Sequence, residues 1–446
     1  MLTDNIKYNM TIKSCDQIVM YAKCGGIIMK VTFLTLGTRG DVQPYVALGK
    51  ELVKNGHEAV ICTGETFRNF VEENQITFYP ATADLMAIIK TPEGQAIFNG
   101  GGNPIKTMKY LKDVITPKYK KTQYDFLNAT EGADIIIYHP KALAAVDIGE
   151  FRNIPCVCMP PVPMVVPIDE FPNLAFSPKG NFGPFINRLT YKITSLGLAS
   201  YLKMINIFRA EELHLPKRKN SENYLDIKGH PIPVIYPISK ELFKDVASWN
   251  GKVELPGFFY LENEEEILED GIRDFIQSGS KPYVISFSSM PLKNPVKFMK
   301  MIEETLESLE ERAIVITGAS GMESSKSKRI LSVPQVPHRL IFKESKGIIH
   351  HGGVGTVAEA LLSGKPQFII PFNVDQPFWA ERLYRMGYAL KPAKEKEITV
   401  ELLKERLKEM EDSRMIQRME VLQNILKEEN GTQKAVRFLE EFVNRK

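Results

Sequence analysis

Little in this sequence belongs to a disulfide-built, metal-built or membrane-spanning protein. Five cysteines (Cys15, Cys24, Cys62, Cys156, Cys158) among 446 residues are too few and too scattered for a disulfide framework or a four-cysteine zinc site. A reducing, cytoplasmic setting is therefore expected. Cys156 and Cys158 stand two apart in an apolar run, so in a strand both face one side and act as small hydrophobes. No run approaches the roughly 20 apolar residues that span a bilayer, so stable insertion is not expected. No Asp-x-Asp pair sits on a loop to hold a metal. The net charge is only +3, without a Lys/Arg stripe, which argues against nucleic acid as a partner. The first 28 residues show no signal-peptide core. They precede a second methionine, Met29, and read as a flexible extension or a start-site artefact.

What is present is ordinary globular material, 43% hydrophobic and 25% charged. A chain this long exceeds one core, and two domains are expected. From Lys30 the pattern is strand, loop, helix, repeated. Val31 to Leu36 is a nearly continuous apolar run, as in a parallel strand covered on both faces. Tyr45, Leu48, Gly49, Leu52 and Val53 follow at helical spacing, Asn55-Gly56 closes the helix, and Ala59 to Cys62 is the next strand. Asp134–Tyr138 and Pro155–Met159 are further strands. A second series begins near Pro282, with strands at Tyr283–Phe287, Ala313–Thr317, Gly347–His350 and Gln367–Pro371. The fold class is α/β, with two doubly wound Rossmann-like domains facing across a cleft. The expected boundaries are 1–28 for the extension, 29–245 and 246–420 for the two domains, and 421–446 for a C-terminal helical segment. Leu402, Leu403, Leu407 and Met410 form one apolar stripe there, and Val436, Leu439 and Val443 another.

The sharpest local signal is His350-His-Gly-Gly-Val-Gly-Thr-Val-Ala-Glu-Ala-Leu361, between a strand and a helix. Glycines let backbone approach a ligand, and the helix start offers free N–H groups to an anion such as a diphosphate. Gly353-Val-Gly355-Thr-Val-Ala358, with Asp375 about 20 residues on, also passes for a dinucleotide fingerprint, so an NAD-dependent dehydrogenase is a rival. Against it, the motif lies deep in the second domain, behind two histidines.

Together with Gly37-Thr-Arg-Gly-Asp-Val-Gln-Pro44, Val336-Pro-His338 and Pro366 to Pro377, this block resembles the inverting GT-B glycosyltransferases that use nucleoside-diphosphate sugars, in the sterol and natural-product branch. The resemblance runs from about Met29 to Leu390. It implies that His351, Gly353, Gly355 and Thr356 contact the donor diphosphate. Glu359 would take the ribose hydroxyls, Asp375 and Gln376 the sugar hydroxyls, and Val336 to His338 the base. Ser289 would join the donor loop after the first strand of the second domain. Two departures stand out: Ser288 where a glycine is usual, and Arg339-Leu340 where the family often has Asp-Trp.

The resemblance assigns Asp41 the role of general base, in a loop with Thr38, Arg39 and Gly40. A carboxylate near an acceptor hydroxyl can take its proton as the oxygen attacks. The competing reading makes Asp41 the N-cap of the helix it begins. The resemblance implies a UDP-sugar, such as UDP-glucose, as co-substrate without metal or other cofactor. The acceptor would be a small hydroxylated molecule: a sterol, terpenoid, polyphenol or polyketide. Met159–Pro184 and Asn99–Tyr110 would offer apolar surface to it, with transient membrane contact if it is lipid-like. A monomer or weak dimer is expected. A non-catalytic nucleotide-sugar-binding partner of another transferase is the second alternative.

Overall fold

The computed structural model describes residues 28–94, 108–174, 176, 181–199, 201–219, 225–243, 249, 252–262, 266–288 and 290–444, with the side chains of 193–199 left aside. The extension expected over 1–28 thus falls outside the described residues except for its last residue, and Asn99–Tyr110 is described only from 108 on.

Two parallel sheets organise the chain. The first is built from β1 (Lys30–Leu34), β2 (Glu58–Gly64), β3 (Thr77–Ala81), β4 (Ile135–Tyr138), β5 (Cys156–Cys158), β6 (Val234–Ile235) and β7 (Val253–Glu254), in the order β3-β2-β1-β4-β5-β6-β7. The second holds β8 (Tyr283–Ser286), β9 (Ala313–Ile316), β10 (Ile330–Val333), β11 (Ile348–His350) and β12 (Gln367–Ile369), in the order β10-β9-β8-β11-β12. The central strands are almost wholly apolar and fully buried, as a sheet covered by helices on both faces requires.

Each sheet reverses its winding once beside its first strand. β1 pairs β2 on one side and β4 on the other, and β8 pairs β9 and β11 in the same way. Loops diverge at such switch points and leave a crevice at the carboxyl ends of the strands. One crevice therefore lies after β1 and β4, the other after β8 and β11.

Helix α1 (Arg39–Lys54) follows β1 and ends at Asn55. Further on come α2 (Val354–Ser363), after β11, and α3 (Gln376–Met386), after β12. The C-terminal stripes resolve into α4 (Val400–Glu409), α5 (Ser413–Glu428) and α6 (Gly431–Asn444). Two boundaries differ from expectation. The first sheet takes its last strand from Val253–Glu254, beyond residue 245. The C-terminal segment does not stand apart, because Ala435, Val436 and Leu439 of α6 join the core beneath α1 and His57 Nε2 lies 3.2 Å from Glu440.

The two domains share packing. Phe171 and Phe243 from the first half meet Phe378 and Trp379 of α3, and the Arg382 guanidinium lies 4.2 Å above the Phe243 ring while pairing with Glu170 at 2.8 Å. Val162, Val166, Ile168 and Phe171 belong to this core, so much of Met159–Pro184 is packing; Met164, Phe176 and Phe182 are its exposed apolar members. Cys62, Cys156 and Cys158 are buried thiols. Among the described residues no helix is long and apolar enough to cross a membrane.

Candidate functional site

At the first switch point the sequence forces a carboxylate against backbone. Thr38 is the N-cap of α1, so Asp41 is not the cap; it stands in the first turn and accepts the Thr38 N–H at 2.7 Å through Oδ2. A Cβ on Gly37, whose φ is +151, would lie 2.0 Å from Asp41 Oδ2, so the glycine makes room for the carboxylate. Arg39 and Gly40 face solvent beside it. Arg39 bonds Gln43 at 3.0 Å and lies over the Phe70 ring at 4.5 Å.

Two further residues reach Asp41 from the end of β4. His139 Nε2 lies 3.1 Å from Oδ1, and Lys141 Nζ lies 2.9 Å from Oδ2. The backbone N–H of Lys141 donates to His139 Nδ1 at 3.0 Å, which leaves the proton of a neutral ring on Nε2, turned to the carboxylate. Burial alone would raise the Asp41 carboxyl. The Lys141 charge and the His139 contact outweigh it and hold the group well below the ordinary range. Neither partner was foreseen. The available signal was His139-Pro140 immediately after the apolar strand Ile135–Tyr138, at a sheet's carboxyl edge.

The second switch point gathers the donor motif. His350 is structural: it is fully buried, accepts the Gly352 N–H at Nδ1 and contacts Gln367 Oε1 through Nε2 at 2.7 Å. His351 is different. Its ring is buried, and burial, with the neighbouring His350 and His338, pushes its imidazole down to about 3 against the opposing pull of the Ser286 backbone. A neutral ring fits a hydrogen-bond contact rather than a cation. Its ring packs on Gly353, where a Cβ would come within 2.6 Å of Nε2. Gly353 caps α2, Gly355 lies exposed in its first turn with open space around it, and Thr356 is buried. The helix start is thus open at Gly355, as anion binding requires, while the Val354 N–H is engaged by the Asp375 carboxylate.

Around this start the remaining residues divide. Glu359 lies on α2, its Oε2 3.3 Å from Arg339 Nε. Val336 is buried in the core under β8 and β11, and the His338 side chain turns to Ser286 Oγ at 3.0 Å and stacks on Phe342. Ser288 adopts φ 51, the left-handed conformation for which a glycine is suited. Ser289 lies outside the described residues. Asp375 accepts the Trp379 indole N–H at 2.9 Å, and burial, supported by the Asp41 charge, pushes its carboxyl up to about 6. Its neighbour Val374 is β-branched, exposed and at φ 56, a strained placement of the sort that collects at ligand sites. Gln376 Oε1 accepts from Phe372 N and Asn373 N, so it braces the loop and does not present that oxygen to a ligand. Asn373 Oδ1 is buried and has no hydrogen-bond partner among the described residues, and it was not foreseen.

The two halves sense each other. The Asp41 charge acts on Asp375, and Arg39 acts on His338. Two doubly wound domains, a carboxylate at one switch point and a bare helix start at the other define a glycosyltransferase of the GT-B class.

Comparison with known proteins agrees. Residues 31–161 match the glycosyltransferase family 28 N-terminal domain, and residues 307–434 match the erythromycin biosynthesis protein CIII-like C-terminal domain. Two sterol 3-beta-glucosyltransferases of Arabidopsis thaliana are each 31% identical over 92% of this chain, covering 65% and 67% of their own length. The O-mycaminosyltylonolide 6-deoxyallosyltransferase of Streptomyces fradiae is 27% identical over 82% of this chain and 85% of its own. The chain spans about two thirds of the plant relatives. The solved kitacinnamycin glycosyltransferase superposes with a TM-score of 0.70 at 17% identity, over 93% of this chain and 99% of that one. VinC, solved with dTDP, gives 0.63 at 16% identity, over 94% and 100%. The chain belongs to the GT-B glycosyltransferase family that includes these sterol and macrolide enzymes.

Proposed function

We propose that the chain transfers a hexose from a nucleoside-diphosphate donor of the UDP-glucose type to a hydroxyl of a small, largely apolar acceptor, with inversion at the anomeric carbon. The observation that carries this is the Asp41 carboxylate at one switch point, facing a domain whose α2 start is open at Gly355 beside the buried His351 ring and so suits a diphosphate.

In that reaction the acceptor oxygen forms a bond to the anomeric carbon while its proton passes to Asp41. The bond from that carbon to the diphosphate oxygen breaks, and the leaving diphosphate is met by the N–H groups at the start of α2 and by His351. Glu359 holds ribose, and Asp375 a sugar hydroxyl. The chain's own groups supply the charge stabilisation, so turnover should persist in excess chelator. The acceptor class follows from the names of the relatives, sterol and macrolide transferases, and from the exposed Met164, Phe176 and Phe182.

The test is Asp41→Asn with UDP-glucose and a panel of sterol, terpenoid, polyphenol and polyketide acceptors, read by mass spectrometry. Donor affinity should hold while turnover falls at least about a hundredfold. Binding of NAD without binding of UDP would sink the reading.

A further inference from the structure

Lys141 is fixed at its root and free at its tip. Its backbone N–H is held by His139 Nδ1 at 3.0 Å in the turn that follows β4, and the Ala142 N–H closes that turn on the His139 carbonyl at 2.8 Å. The four-carbon stem then carries the ammonium to 2.9 Å from Asp41 Oδ2. That oxygen also takes the N–H and the hydroxyl of Thr38, at 2.7 and 3.2 Å. The carboxylate side chain is 13% exposed against 42% for the lysine, so the ammonium is the solvent-facing member of the pair.

Water competes with every acceptor for an activated sugar. In hydrolysis the water oxygen bonds to the anomeric carbon, and the bond from that carbon to the diphosphate oxygen breaks with its electron pair kept by the diphosphate. The water proton passes to Asp41 and on to solvent. An ammonium beside the carboxylate opposes that proton transfer, because it stabilises the ionised form. Water has no apolar body with which to displace the lysine. An apolar acceptor does, since contacts made away from its reacting hydroxyl can drive Lys141 off the carboxylate. Aromatic surface for such contacts stands close by: the Tyr119 hydroxyl, raised mainly by burial, also feels the Asp41 charge, and its ring lies 6.2 Å from that of Tyr201.

Resting on the glycosyl-transfer reading above, we infer that Lys141 guards Asp41 against water: its ammonium stays on Oδ2 while the acceptor place is empty and leaves it when an apolar acceptor arrives, so that hydrolysis of the donor is suppressed. Lys141 touches no reacting atom in this scheme. It acts through Asp41.

The test is hydrolysis of UDP-glucose by the full chain without acceptor at pH 8, followed as glucose released and divided by the number of UDP sites titrated in the same sample. Lys141→Met should hydrolyse the donor at least about tenfold faster than the unaltered chain. Lys141→Arg, which keeps the charge on the carboxylate, should stay close to the unaltered rate. Adding Asp41→Asn to Lys141→Met should return hydrolysis to the unaltered level or below. Counting sites removes any loss of folded protein from the comparison. An unchanged rate in Lys141→Met, an equal rise in Lys141→Arg, or a rise that survives Asp41→Asn overturns the inference and leaves the transferase reading standing. Absence of UDP sites in the unaltered chain overturns that reading and the inference with it.

Discussion

Lys141 places its ammonium 2.9 Å from Asp41 Oδ2, the oxygen that also takes the Thr38 N–H, while His139 stands against Oδ1. Both carboxylate oxygens therefore have partners before any acceptor arrives. A carboxylate oxygen has room for more than one donor, so an acceptor hydroxyl can join His139 on Oδ1 or take the place of a partner on the more crowded Oδ2. Thr38 donates from the backbone and His139 is 2% exposed, whereas Lys141 has a flexible stem and a side chain 42% exposed. Lys141 is the partner best able to give way.

The same contact sets the acid limit of turnover. A base must be ionised, and Asp41 is held below the ordinary carboxylate range of about 4, so activity that requires its ionised form persists as pH falls to that range. Lys141→Met removes the largest opposing charge and leaves burial to raise the group. With donor saturating, so that the titration of Asp375 does not enter, the acid limb of kcat/KM for the acceptor should move up by at least about one pH unit. Lys141→Arg should keep the limb low. An unmoved limb in Lys141→Met would take Lys141 out of the electrostatics of the site.

Gly37→Ala tests the geometry behind Asp41. At φ +151 and with Asp41 Oδ2 2.0 Å from the position of its Cβ, the methyl has no room, and the carboxylate must leave the N–H of Thr38. The expected result is a stability loss of about 1–3 kcal/mol, read by denaturant titration. Turnover should fall more than donor affinity does, because α2 is untouched. Gly355→Ala is the contrast: nothing lies within 4 Å of its Cβ position, so stability should hold and only donor binding should weaken.

How much of this was legible depended on burial and on neighbours. β1, β4, β8 and β9 are short runs covered on both faces, and such runs announce themselves as continuous apolar residues. β3 and β10 are edge strands with half-exposed middles, and Pro80 sits inside β3, so neither carries that signature. β7 is two residues long and is a strand only because β6 lies beside it. The glycine motifs were readable because their chemistry is local. His139 and Lys141 were not, because they meet Asp41 only through the pairing of β1 with β4, about a hundred residues apart in the chain. Arg339 was visible as a departure from the family, but its partners come from two other segments, Tyr260 and Glu262 from one and Glu359 from α2.

Asp375 carries the last prediction. Its carboxyl is pushed up to about 6, burial being the main cause and the Asp41 charge a lesser one. At pH 7 the group is mostly ionised and able to accept hydrogen bonds, from sugar hydroxyls in the proposed reaction; as pH falls through about 6 it takes a proton and loses that capacity at one oxygen. UDP-glucose has no phosphate ionisation in this range, so any change belongs to the protein. Donor KM should therefore rise several-fold from pH 7.5 to 5.5. In Asp375→Asn the KM should be higher throughout and flat across the same interval. Asp41→Asn supplies the cross-check: removing its charge lowers the Asp375 carboxyl, and the rise in KM should begin at lower pH. If the rise stays where it was, the two carboxylates are not electrostatically coupled across the cleft, and the joint site drawn from them fails.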